Sequence, residues 1–234
     1  MRRIVTLIAL AVAVLTGSLA RAAETRLTPD LVLKRLREGN ARYLTGISKH
    51  ARIDIERRVE TAKRGQKPYS TVLACSDSRV PTEVVFDQGF AEVFVVRVAG
   101  NVCDTAELAS VEYGVEYLGT PLVVVLGHTQ CGAVLAAVAD KPLAGSLPKL
   151  VEMIRPAVEK ARRDKPELKG DVLIELAIRD NVLQSMAELL RRSQVIRDKL
   201  KSGEIKVVGA VRNLRTGKVE WLGAHPNQAE LIKG

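Results

Sequence analysis

Cys75-Ser-Asp-Ser-Arg79 and His128-Thr-Gln-Cys131 bring two thiols, an imidazole, a carboxylate and a guanidinium into two short segments. Two thiolates and one imidazole suit a zinc ion, which takes Cys sulfur and His nitrogen in tetrahedral geometry. His128 and Cys131 are close enough in the chain to bind one ion from the turn that opens the next helix. Neither motif holds a further Cys or His, so Cys75, His128 and Cys131 leave a coordination position for water or substrate. That points to a catalytic centre. The competing readings are a structural zinc with a distant fourth ligand, and buried thiols without metal. Asp77 and Arg79 weigh against both, because a structural site has no need of a carboxylate beside a ligand. Asp77 can accept a hydrogen bond from metal-bound hydroxide and aim it, while Arg79 holds Asp77 ionised through a charge-assisted pair. Alternatively, Asp77 turns inward as a fourth ligand and closes the site. A plain surface ion pair, worth little, is the remaining reading.

The elements that must position these groups are legible around them. Each motif directly follows an apolar run, Ser70–Ala74 and Pro121–Gly127, and such runs read as buried parallel strands. Open α/β sheets keep their sites beyond the carboxyl ends of the strands. Further strands are expected at Val93–Val98, Ile205–Arg212 and Val219–Leu222, the last two flanking a hairpin at Leu214-Arg-Thr-Gly217. Thr28-Pro29-Asp30 starts a helix, with apolar residues at helical spacing from Leu31 to Leu44, and a second helical stretch follows from Ile53 to Arg64. Asp104-x-x-Glu107 reads as a capping box opening the helix that carries Tyr113. Gly132–Val138 begins a helix whose dipole favours the thiolate of Cys131. Leu147–Arg163 and Val172–Lys201 read as amphipathic helices, the second carrying Asn181. The alternation predicts an α/β fold: a central, mostly parallel sheet with an antiparallel edge strand, flanked by helices, plus an N-terminal helical arm.

Cys-Ser-Asp-Ser-Arg-Val at 75–80 and Gly-His-x-x-Cys-Gly at 127–132 resemble the two signatures of the β-class carbonic anhydrases, including their separation. The likeness runs from about Gln66 to about Val138 and is weaker in the C-terminal strands. The resemblance implies one zinc ion per subunit on Cys75, His128 and Cys131, with Asp77 and Arg79 as the catalytic dyad. The implied reaction is reversible hydration of carbon dioxide to bicarbonate and a proton, by attack of zinc-bound hydroxide. Zinc brings the ionisation of its bound water down to near neutral pH, as carbonic anhydrase illustrates in general, so a metal-bound hydroxide is available to attack. Two thiolates donate more charge than imidazoles, so activity is expected to favour higher pH. The resemblance also assigns Gln66 to a hydrogen bond with substrate, and Val80, Phe94, Ala99, Tyr113 and Gly132 to the pocket lining. That pocket is completed across a dimer interface, which implies a homodimer or higher even oligomer, with the N-terminal arm wrapping the partner subunit. Some family members trap bicarbonate with a Trp, a Gly and an Arg near the first signature. Arg97 matches the Arg, but Val72 and Ala74 stand at the other two positions, so this chain resembles the type without the trap. Hydrolysis of carbonyl sulfide or carbon disulfide, and a non-catalytic zinc or bicarbonate-binding module, are the alternatives.

Met1-Arg2-Arg3, the apolar stretch Ile4–Leu15 and Ala20-x-Ala22 read as an export signal. The expected division is a signal peptide over 1–22 and one domain over 23–234, with a helical arm over 23–65 and an α/β core over 66–234. The expected address is the periplasm, with no stable membrane span after cleavage. The formal charge is +9, but the basic residues are mixed with acids along helices, as on solvated faces. Aromatics are 3% of the chain, too few for a base-stacking platform, so no nucleic-acid partner is expected. Cys103 reads as a buried small apolar residue. His50 and His225 read as loop residues without partners at ligand spacing.

Overall fold

The computed structural model of the protein describes residues 27–49 and 52–233. The expected signal segment over 1–22 and His50 lie outside the described residues. Five strands, β1 (Ser70–Cys75), β2 (Val93–Val98), β3 (Leu122–His128), β4 (Lys206–Arg212) and β5 (Val219–Gly223), form one sheet in the order β2-β1-β3-β4-β5. The first four are parallel, and β5 runs antiparallel to β4. β1 and β3 are buried along their whole length, as strands covered on both faces must be. The pleat sorts their side chains between two cores. Leu73, Cys75, Val123 and Val125 point into one, and Val72, Ala74, Leu122, Val124 and Leu126 into the other.

The chain fills both faces. The N-terminal helices are α1 (Pro29–Thr45) and α2 (Ile55–Arg64), and the short α3 (Thr82–Val85) follows β1. The first core is covered by α4 (Thr105–Glu116), α5 (Gly132–Ala139), α6 (Leu147–Asp164), α7 (Gly170–Arg192) and α8 (Gln194–Lys201), which bring in Val111, Val134, Ile154, Ile178 and Ile196. A short α9 (Gln228–Leu231) follows β5. The second core is covered by Val32 and Leu36 of α1 and by Val85 and Phe86 at the end of α3. The Thr28 hydroxyl caps α1, accepting from the Leu31 N–H at 3.3 Å. Gly46 closes it at φ 70°. Asn40, buried in mid-helix, donates to the carbonyls of Val85 at 3.1 Å and Gly217 at 3.2 Å, and accepts from the Val219 N–H at 3.0 Å. Thus α1 is fastened to the sheet of its own chain, whereas α2 buries none of its residues.

The capping box at Asp104 and Glu107 forms as expected. The continuous helix expected over Val172–Lys201 does not. Ser193 is extended, at φ −103° and ψ 113°, and divides it into α7 and α8. Its hydroxyl accepts from the Ile196 N–H at 3.1 Å and donates to Glu112 of α4 at 2.5 Å. A serine offers the backbone this alternative partner where a helix would otherwise continue.

Candidate metal centre

Because β1 and β3 are adjacent and parallel, their carboxyl ends deliver the two motifs to one place. Cys75 is the last residue of β1, His128 the last of β3, and Cys131 the N-cap of α5. One ligand atom from each lies within 4.8 Å of the others, and all three residues are buried. The His128 Nδ1 lies 2.9 Å from the Thr129 carbonyl oxygen. A carbonyl only accepts, so Nδ1 carries the proton and Nε2 keeps its lone pair. Nε2 is buried without a hydrogen-bond partner. An orphaned buried nitrogen facing two thiols is costly by itself, and a soft-ligand cation satisfies it. The donor set therefore fits zinc.

The thiols are prepared unequally. The Cys75 thiol is lowered to about 4, first by its hydrogen bond with Cys131, then against burial by His128 and the N–H groups of Asp77 and Gly100. Cys131 is pushed up, chiefly by its hydrogen bond with Cys75 and then by burial. Adjacent thiols release a first proton easily and a second with difficulty, and a divalent cation between them removes that conflict. The Gly100 N–H reaches the Cys75 Sγ at 3.3 Å. Gly100 sits at φ 72° in a 3-10 turn over Ala99–Asn101, where a Cβ would lie 2.7 Å from the Ile154 Cδ1. Both the left-handed backbone and the contact with Ile154 favour glycine at this position. Asn181 of α7 holds this turn, donating to the Gly100 carbonyl at 2.7 Å.

Arg79 grips Asp77 with both prongs, Nε to Oδ1 at 2.9 Å and Nη2 to Oδ2 at 2.7 Å, and its backbone N–H adds a bond to Oδ1 at 2.9 Å. These bonds, opposed by burial, hold the Asp77 carboxyl well below the usual carboxylate range. Its Oδ2 stands 3.8 Å from the His128 Nε2. Arg97 donates to the carbonyls of Cys75 at 3.1 Å and Asp77 at 2.7 Å. Val72 and Ala74 are fully buried in the second core.

The remaining expected pocket residues divide. Ala99 opens the turn that carries Gly100, and Gly132 is the first residue of α5, beside Cys131. Val80 is fully buried in the second core. Gln66 is exposed and precedes the amino end of β1, whereas the ligands gather at the carboxyl end. Phe94 is level with Thr71, and Val98 is level with Cys75, so Phe94 lies about 13 Å up the sheet from the ligands at ~3.3 Å per residue. It packs on Tyr113, ring centroids 5.9 Å apart, and Tyr113 stacks on Tyr117 at 5.4 Å. One chain thus brings together Cys75, His128, Cys131, Asp77 and Arg79, but not Gln66, Phe94 or Tyr113. His225 lies in a loop, its Nδ1 accepting from the Asn227 N–H at 3.0 Å. Sequence reasoning missed Gly100, Thr129 and Arg212. A glycine following an apolar strand is a turn signal for the first; Arg212 carries no local signal.

Fold and site together define an α/β protein with a three-ligand, Cys-His-Cys metal centre at the ends of adjacent parallel strands. The profile of the family described as carbonic anhydrase matches residues 70–219. Carbonic anhydrase 2 of Mycobacterium tuberculosis is 39% identical over 194 residues, covering 81% of this chain and 91% of that protein. The carbonic anhydrase of Mycolicibacterium smegmatis is 37% identical over 196 residues, 82% of this chain and 92% of its own. Among solved structures, the β-carbonic anhydrase CafA of Aspergillus fumigatus aligns with a TM-score of 0.70 at 25% identity, over 87% of this chain and 94% of that one. The β-carbonic anhydrase CcaA aligns with a TM-score of 0.66 at 24% identity, over 82% and 99% respectively, a likeness of fold. The chain belongs to the carbonic anhydrase family, with the fold of its β class.

Proposed function

We propose that this chain catalyses the reversible hydration of carbon dioxide to bicarbonate and a proton, with zinc held by Cys75, His128 and Cys131. The observation that carries the proposal is the orphaned His128 Nε2 facing two thiols with an ionised Asp77 at its side. Zinc supplies, when bound, the Lewis acidity that ionises water near neutral pH, the general effect for which carbonic anhydrase is the standing illustration. The protein's own groups do the rest. The Thr129 carbonyl fixes the His128 tautomer, and the Gly100 N–H steadies Cys75. Asp77, kept ionised by Arg79, is an acceptor that orients the attacking oxygen without taking up a proton at neutral pH.

Three finer readings belong with this one. Arg97 donates to the Cys75 and Asp77 carbonyls, and the buried Val72 and Ala74 offer no polar side chain beside it, which supports the type without a bicarbonate trap. Gln66, Phe94 and Tyr113 sit far from their own chain's ligands, which supports a homodimer or higher even oligomer in which they line the partner's pocket. A β-carbonic anhydrase of Sordaria macrospora, one of two described as tetrameric, shares the fold at 22% identity. Residues 1–22 are proposed as an export signal directing the protein to the periplasm; no helix among the described residues is long and apolar enough to cross a membrane.

Stopped-flow carbon dioxide hydration by the zinc-loaded protein, from neutral to alkaline pH, tests the activity. Turnover rising with pH is expected. Its absence, with zinc shown to be bound, would remove the proposal.

A further inference from the structure

We infer that Arg212 is a positioning residue for the Asp77–Arg79 pair, acting through the backbone of Arg79. The inference rests on the reading of that pair given above. Arg212 ends β4 level with His128 in the sheet and is 5% exposed. Its Nη1 donates to the Arg79 carbonyl oxygen, its Nη2 donates to the Tyr43 hydroxyl at 2.8 Å, and its Nε is buried without a partner. The guanidinium also lies 5.5 Å from the centre of the Tyr43 ring. A buried cation held by a carbonyl and a phenol, with no carboxylate partner, gains little to offset its desolvation and is a poor device for stability.

What Arg212 holds explains it better. Its own carbonyl accepts the Thr129 N–H at 2.9 Å, and the Thr129 carbonyl in turn faces the His128 Nδ1. One residue therefore ties the first motif, at Arg79, to the second, at Thr129. The Arg79 side chain is 54% exposed, and an exposed ion pair of a long side chain is weakened by the entropy of holding it in place. Pinning the Arg79 backbone leaves only its side-chain torsions to be ordered. Tyr43, on α1, holds the second prong of Arg212 and so fixes the clamp to the helix that covers the second core. Lysine cannot reproduce this, because an ammonium lacks the rigid two-pronged fork.

The test is a set of kcat and KM measurements on Arg212→Met, Arg212→Lys and Tyr43→Phe, each made in the native chain and in Arg79→Ala, with metal content and thermal midpoint recorded. In the native chain, Arg212→Met is expected to lower kcat about ten- to a hundredfold, with KM and bound zinc retained and Arg212→Lys recovering little. In Arg79→Ala the same change is expected to cost about twofold or less, since nothing remains to be positioned. Tyr43→Phe gives a smaller kcat loss with the same dependence on Arg79, and decides the matter if Arg212→Met does not fold. Equal losses in both backgrounds would reduce Arg212 to general structural support and overturn the inference, as would full kcat in all three variants. Full turnover in Arg79→Ala alone, where Arg212 is native, would overturn the pair and this inference with it.

Discussion

Cys75 and Cys131 are the same side chain in opposite states of readiness, one ionising near 4 and the other held protonated by its neighbour. Cys103 is the contrast, since burial pushes its thiol up to about 12 and makes it unreactive. Cys75→Ser should therefore strip the protein of metal, measured as zinc content after dialysis, whereas Cys103→Ser should not; stoichiometric zinc in Cys75→Ser would remove Cys75 from the ligand set. Asp77→Asn keeps the shape of the side chain but loses the charge that Arg79 grips. It is expected to retain zinc and lose turnover by on the order of a hundredfold or more. Full turnover in that variant would end the dyad assignment. Cys75, Asp77, Arg79, His128 and Cys131 were legible in the sequence because motif and strand lie side by side. Arg212 was not, because the carbonyl it holds is 133 residues away and nothing near it announces the contact.

At the scale of elements, the turn after β2 does as much for the centre as the strands do. Gly100→Ala is expected to destabilise the fold by about 1–3 kcal/mol from the left-handed backbone alone, with the contact to Ile154 adding to that. Urea denaturation should show the loss, accompanied by weaker zinc retention as the donor to Cys75 shifts. An unchanged midpoint would mean that the turn relaxes freely. The strands themselves were easy to read, since β1 and β3 are dominated by contiguous apolar residues and β4–β5 is a hairpin. The division of α7 from α8 was not. Helical periodicity continues on both sides of Ser193, and the break is stabilised by Glu112 from another helix. The small α3 and α9 are too short for a periodic pattern to register.

Across the whole molecule, α1 is also tied to the second core through Asp87, whose side chain is 1% exposed. It accepts from Arg42 Nε at 2.6 Å, from the Ser48 hydroxyl and from the Lys49 N–H at 3.2 Å. Burial raises its carboxyl, but the bonds from Ser48 and Arg42 outweigh that and bring it to about 2, against an ordinary 3.8. The ionised form is thus favoured by the folded state. Its stabilisation is complete above about pH 4 and is lost as the pH falls through about 2, amounting to on the order of 2 kcal/mol. Stability of the metal-free protein, followed by urea from pH 5 to pH 2, should fall over that interval, and Asp87→Asn should flatten the fall. An equal slope in both proteins would place the acid sensitivity elsewhere. The fold class was legible at this scale from the alternation of strands and helices. The placement of Phe94, and of Tyr113 packed on it, was not, because distance along a sheet depends on register, and register appears only when the strands pair.

The neighbours β1 and β3 are separated in the chain by α3, β2 and α4, so Cys75 and His128 meet only when this long intervening segment has closed on itself. Non-local pairings of this kind form slowly, and the three ligands are not together until they form. Zinc cannot then seed the chain's collapse. It should leave the refolding rate nearly unchanged and act on the reverse reaction, lengthening the lifetime of the finished molecule. Refolding and unfolding rates measured with and without zinc would show this, and a refolding rate that climbs with zinc concentration would mean that the ligands gather before the sheet does.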